Sequence, residues 1–115
     1  MKVLVIDDEP LVRRSLSRAL QQRGHQIFEA PDGLQGLEMW KQVQPDLVFV
    51  DVLMPGMKGP DVILHMKKTS AKVILMTAFS GEEIVSEQDL PIDLFLKKPF
   101  ENIFEIVLKA EGLLK

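Results

Sequence analysis

Three short apolar runs set the pattern of the chain. Val3-Leu4-Val5-Ile6, Leu47-Val48-Phe49-Val50 and Val73-Ile74-Leu75-Met76 contain no polar break. Runs of this length suit strands buried on both faces. A weaker strand is expected over His25–Glu29, and a fifth over Ile92–Leu96, after Pro91. Between the strands the apolar spacing turns helical. Pro10 stands where a first helical turn tolerates it, and Val12, Leu16, Ala19 and Leu20 follow on one face, with Gly24 as the stop. Asp32 caps a helix carrying Leu34, Leu37, Trp40 and Val43, which Pro45 closes. Gly59-Pro60-Asp61 opens a third helix, with Val62, Ile63 and Met66. Ser80-Gly81-Glu82-Glu83 matches a capping box ahead of a short fourth helix bearing Ile84 and Val85. Ile103, Ile106, Val107, Ala110 and Leu114 form the inner stripe of the last. Strand and helix alternate five times, which predicts an α/β fold with a parallel sheet covered on both faces.

The bulk numbers narrow the function classes. The chain has 115 residues, the size of one domain, and 46% of them are hydrophobic, enough for a packed core. Cysteine is absent, which excludes disulfide scaffolds and thiolate metal sites. The formal charge is −3, and no basic run suggests direct nucleic-acid binding. No apolar run reaches the roughly 20 residues that span a bilayer, and no secretory leader is recognisable. A cytoplasmic protein of one domain over residues 1–115, with no membrane insertion and no effector domain, is expected.

The polar residues collect where the strands stop. Asp7-Asp8, Asp51, Thr77 and Lys98 each follow or end a predicted strand. In a parallel sheet the carboxyl ends share one edge, so these residues converge. Taken singly, each has an ordinary structural reading: Asp7-Asp8 as helix-capping acids, Asp51 as a turn acid, Thr77 as a strand residue, Lys98 as a solvated charge. One hypothesis accounts for all of them. Three crowded carboxylates need a cation, and oxygen ligands favour Mg2+ (or Mn2+). A phosphoryl group on Asp51 would satisfy metal, ammonium and hydroxyl together, with the Asp51 carboxylate as nucleophile.

Asp7-Asp8, Asp51-Val52-Leu53-Met54-Pro55 with Gly59, Thr77-Ala78 and Lys98-Pro99-Phe100, in that order, resemble the receiver domain of bacterial two-component response regulators, chemotaxis regulators included. The resemblance covers essentially the whole chain. It implies a flavodoxin-like, doubly wound (βα)5 three-layer sandwich with strand order 2-1-3-4-5. It implies that Asp51 accepts phosphate from a sensor histidine kinase or phosphotransfer protein, and that Asp7, Asp8, Asp51 and the backbone carbonyl of Leu53 hold the metal. Thr77 and Lys98 would bind phosphoryl oxygens, the Lys98-Pro99 peptide would be cis, and Phe95 would be the switch aromatic, without the hydroxyl a tyrosine would bring there. Matching by the proline selects Lys98 over Lys97. The readout would lie on the face of the fourth and fifth helices and the fifth strand, with a phosphorylation-linked homodimer as one form of it. Glu87-Gln88-Asp89-Leu90-Pro91 departs from the family in lacking a small Gly-Ala turn.

Other expectations concern single residues. Phe104 and Leu108, one helical turn apart, either form a partner patch or widen the buried stripe. The arginines of the first helix are a solvated face or a kinase contact. His25 and His65 are structural, and the methionines are core filler. Leu53 and Phe79 offer nothing to position an attacking water, so slow self-dephosphorylation is expected from a switch rather than a turnover enzyme. Two other classes fit less well. A phosphatase with an aspartate nucleophile would want an acid at position 53, where Leu stands. A flavin- or nucleotide-binding module would want a phosphate-cradling loop where Asp7-Asp8-Glu9-Pro10 stands.

Overall fold

The structure is a computed structural model and describes residues 1–66, 70–78 and 90–114. Five strands, β1 (Lys2–Ile6), β2 (Gln26–Ala30), β3 (Leu47–Asp51), β4 (Lys72–Thr77) and β5 (Leu94–Lys97), form one sheet. All neighbouring pairs are parallel and the order is β2-β1-β3-β4-β5. The chain winds outward from β1 to β2 and then back past β1 to β3. The switch in direction leaves a crevice at the carboxyl ends of β1 and β3.

Alternation along the strands builds two cores. Leu4, Ile6, Val48, Val50, Val73 and Leu75 face one side, where they meet Leu37 and Trp40 of α2 (Gly33–Val43) and Val62 and Ile63 of α3 (Gly59–His65). Val3, Val5, Leu47, Phe49, Ile74 and Met76 face the other. They meet Leu16, Ala19 and Leu20 of α1 (Pro10–Gln22) and Ile106, Val107 and Ala110 of the C-terminal helix (Ile103–Gly112). The central runs are apolar throughout because both of their faces are covered. Pro10 is the first residue of α1, and Gly24 takes the left-handed backbone (φ +89°) just past its end. The predicted cap at Asp32 forms: its side chain accepts from the Gln35 N–H at 2.8 Å.

Some expectations shift in detail. Leu34 is exposed, not part of the inner face of α2. That face runs through Gly33, Gly36, Leu37 and Trp40, because two glycines allow the helix to close on its neighbours. A Cβ at Gly33 would lie 2.0 Å from the Met57 carbonyl oxygen, and one at Gly36 would meet the Ile6 side chain at 2.7 Å. The fifth strand begins at Leu94 rather than Ile92. The Asp93 carboxylate accepts the Val73 N–H at 2.8 Å, so the strand ladder starts two residues later than expected, with Leu94 beside Ile74. Phe104 and Leu108 are exposed and do not widen the buried stripe. His25 bonds across the fold to Glu111 of the C-terminal helix, and His65 bonds locally to the Asp61 carbonyl. The predicted capping box at Ser80–Glu83, its helix, and Phe79 lie outside the described residues.

Candidate functional site

Four of the five strands, all but β2, bring polar residues to the carboxyl edge of the sheet. Asp7 follows β1, and its N–H still donates to Ala30 of β2 at 3.1 Å, so its backbone is fixed as firmly as the strand. Its side chain is fully buried. One carboxylate oxygen accepts the Glu9 N–H at 2.9 Å and the other accepts the Lys98 ammonium at 2.7 Å. The Asp7 carbonyl accepts from the Arg13 guanidinium at 2.8 Å, which also meets Glu29 at 3.1 Å. Asp7 and Asp8 are therefore not the cap of α1; the cap residue is Glu9, with no side-chain cap bond.

Asp51 is the last residue of β3 and is 5% exposed. The solvated turn acid that a single-residue reading allows is thereby ruled out. The loop beyond it is held close: the Gly59 N–H donates to the Val52 carbonyl at 2.9 Å, and a Cβ at Gly59 would lie 2.1 Å from the Asp51 carbonyl oxygen. Thr77 ends β4 and is buried. Its carbonyl accepts the Lys98 N–H at 2.7 Å. Lys98 follows β5, is 8% exposed, and precedes a cis peptide to Pro99. Its neighbour Lys97 is exposed on the strand, so geometry and the proline agree on which lysine enters the crevice.

The Lys98 ammonium lies among three carboxylates: Asp7 at 2.7 Å, Glu9 at 3.1 Å and Asp51 at 3.3 Å. Burial alone would lower its pKa, but the hydrogen bond and charge of Asp7, joined by the charge of Asp51, outweigh it and raise the value. The Asp51 carboxyl is pushed up to about 7, first by burial and then by the charge of Asp7, against the opposing pull of Lys98. One ammonium does not neutralise this many acids. Carboxylate oxygens of Asp7, Asp8, Glu9 and Asp51 all lie within 4.8 Å of one another. This hard, all-oxygen donor set suits Mg2+ or Mn2+ rather than a thiophilic metal.

Glu9 is the member that sequence reasoning passed over. It belongs to the acid run at the end of β1, yet an acid opening a helix reads as solvated, and its side chain is indeed 58% exposed. The remaining expected residues lie nearby in sequence or strand. The Leu53 side chain is exposed two residues after Asp51, and Phe95 is half-buried in β5 beside Leu75 of β4, against the core shared with α2 and α3. A cleft of about 620 Å³ opens next to the site, walled by Leu11, Val12, Ala78, Phe100 and Ile103 and reaching it at Glu9 and Lys98.

Residues 3–109 match the family described as the response regulator receiver domain. The chain belongs to that family. It is 34% identical to sporulation initiation phosphotransferase F of Bacillus subtilis, over 87% of this chain and 83% of that protein. It is also 34% identical to response regulator MprA of Mycobacterium avium, over the whole of this chain but about half (51%) of that protein. Among solved structures, response regulator TrrA of Thermotoga maritima, in complex with Mg2+ and beryllofluoride, superposes with a TM-score of 0.85 and 35% identity, each chain covered to 98%. Receivers of this family take phosphoryl groups from histidine kinases or phosphotransfer proteins, and this chain is a phosphorylation-dependent receiver of two-component signal transduction. Among the described residues, no helix is long and apolar enough to cross a membrane.

Proposed function

We propose that Asp51 is the phosphoacceptor of this receiver and that residues 1–115 act as one switching unit. The observation that carries this reading is the placement of a buried carboxylate at the end of β3, 3.3 Å from a buried ammonium and beside three further acids. An Asp51 carboxylate oxygen attacks the phosphorus of a phosphohistidine on the donor protein. The new O–P bond forms as the P–N bond breaks, and the departing imidazole keeps the electron pair and takes a proton from solvent. Asp7, Asp8, Asp51 and the Leu53 carbonyl would hold Mg2+ (or Mn2+), which supplies countercharge for the transferring group when bound. Lys98 holds one phosphoryl oxygen and the Thr77 hydroxyl turns toward another. Movement of Thr77 opens space at the end of β4 that Phe95, beside Leu75 and two residues short of Thr77's partner Lys97, fills, so that phosphorylation shifts a pre-existing equilibrium.

The protein is read as a cytoplasmic switch, charged by a partner and discharged slowly. The exposed aliphatic Leu53 has no group to orient water, which favours a long-lived acyl phosphate. Output runs through β5 and the C-terminal helix, where a phosphorylation-linked homodimer is the form to test. Labelling by a phosphorylated kinase or a small acyl phosphate with Mg2+ is expected for the native protein and lost in Asp51→Asn. Undiminished labelling of that variant overturns the assignment, and a phosphorylated lifetime of seconds at neutral pH overturns slow discharge.

A further inference from the structure

Lys98 already gives hydrogen bonds to two acids, Asp7 and Glu9, and pairs with a third, Asp51. An ammonium carries three N–H donors, and three carboxylates surround this one, from Asp7, Glu9 and Asp51. A phosphoryl group on Asp51 brings further negative oxygens against Lys98 and competes with the other two acids for it. Asp7 is the costly one to release. It is fully buried, and its second oxygen is pinned by the Glu9 N–H at 2.9 Å. Released, it would lose its ammonium partner with no water to replace it. Asp51 carries the phosphoryl group itself. Glu9 differs from both: its carboxylate is 58% exposed and returns to water when the 3.1 Å contact breaks.

We propose that Glu9 is a placeholder for the phosphoryl group. It occupies the donor of Lys98 that an incoming oxygen takes, keeps the buried lysine aligned in the resting state, and is expelled to solvent on activation. Glu9 is thus a positioning residue that sets how readily the site accepts its anion. The inference rests on Asp51 being the acceptor.

Beryllofluoride, a tetrahedral stand-in for the phosphoryl group on a carboxylate, separates these ideas in the full chain. The side-chain carboxyl carbons of Glu9 and Asp7 are followed by NMR, first with Mg2+ alone and then with Mg2+ and beryllofluoride. The Glu9 signal is expected to stay put with Mg2+ and to move to the value of a solvent-exposed glutamate with beryllofluoride, while Asp7 remains distinct. Glu9→Gln is expected to bind beryllofluoride about two- to five-fold more tightly, the yield of one partly exposed charge contact. A Glu9 signal that responds fully to Mg2+ alone, with weaker Mg2+ binding by Glu9→Gln, would make it a metal ligand and overturn the placeholder. So would a Glu9 signal unmoved by beryllofluoride. Binding that survives Asp51→Asn would instead remove the acceptor reading, and the placeholder with it.

Discussion

Replacing Asp51 by asparagine should stabilise the fold in the absence of divalent metal, and by an amount that depends steeply on pH. Folding buries this carboxylate among other acids at the carboxyl end of β3 and raises its pKa from the ordinary 3.8 to about 7. Below pH 4 the group is protonated in both folded and unfolded chains and contributes nothing. Between about pH 4 and 7 the folded chain keeps a proton that the unfolded chain gives up, so stability falls as pH rises. Above pH 7 the penalty is complete. At ~1.4 kcal/mol per pH unit, the displacement amounts to about 4 kcal/mol. Asn keeps the shape and removes the charge. Urea unfolding in EDTA at pH 8 should find Asp51→Asn more stable by about that amount, with the difference shrinking toward zero at pH 4. Mg2+ should narrow the gap at pH 8 by stabilising the native protein more than a variant that has lost one metal ligand, by about 2.7 kcal/mol for the native protein at a hundred times its dissociation constant. Equal or lower stability of the variant at pH 8 would refute the electrostatic account of the site.

Other perturbations follow from the same geometry. Gly59→Ala places a methyl 2.1 Å from the Asp51 carbonyl oxygen, so phosphorylation should fail and urea unfolding should show a loss of about 1–3 kcal/mol. Lys98→Met removes the one cation held among three carboxylates, so calorimetry should show tighter Mg2+ binding even as activation is lost. Arg23 and His25 both grip Glu111, at 2.7 and 2.8 Å, and hold its carboxyl down to about 2. The sign is the reverse of that at Asp51: this contribution is present above the ordinary carboxylate range and lost as pH falls toward 2. Glu111→Gln should therefore speed amide exchange in the last turn of the C-terminal helix at pH 7, with little difference near pH 2. Phe104→Ser and Leu108→Ser should change stability by less than about 0.5 kcal/mol, because both side chains are exposed. If they line an output surface, sedimentation of the phosphorylated protein should report it.

The scaffold was legible because its central strands are covered on both sides and so cannot hide their apolar character. Leu47-Val48-Phe49-Val50 sends alternate residues into two different cores, which only a continuous run can do. The site was legible because a parallel sheet brings strand ends together whatever their separation in sequence. Asp7, Asp51, Thr77 and Lys98 needed only their strands to be found. Other features left no apolar signal. The close approach of α2 depends on Gly33 and Gly36, whose contribution is a missing side chain, and Leu34 looked interior only while they were overlooked. The late start of β5 depends on Asp93 accepting through its side chain what a carbonyl would ordinarily take. Glu9 was overlooked because half-exposed acids near helix starts are common, and only the position of Lys98 distinguishes this one.

The 2.7 Å bond from the Lys98 N–H to the Thr77 carbonyl makes the two residues a single lever. A tug on the threonine side chain at the end of β4 is carried through the backbone to the lysine at the end of β5. Under the proposed roles one arm of the lever meets the phosphoryl group through a hydroxyl and the other through an ammonium, and a shift of either loads the other. Substitutions at 77 and 98 should therefore interfere rather than add, and a double-mutant cycle on activation would read the stiffness of that linkage as an interaction energy.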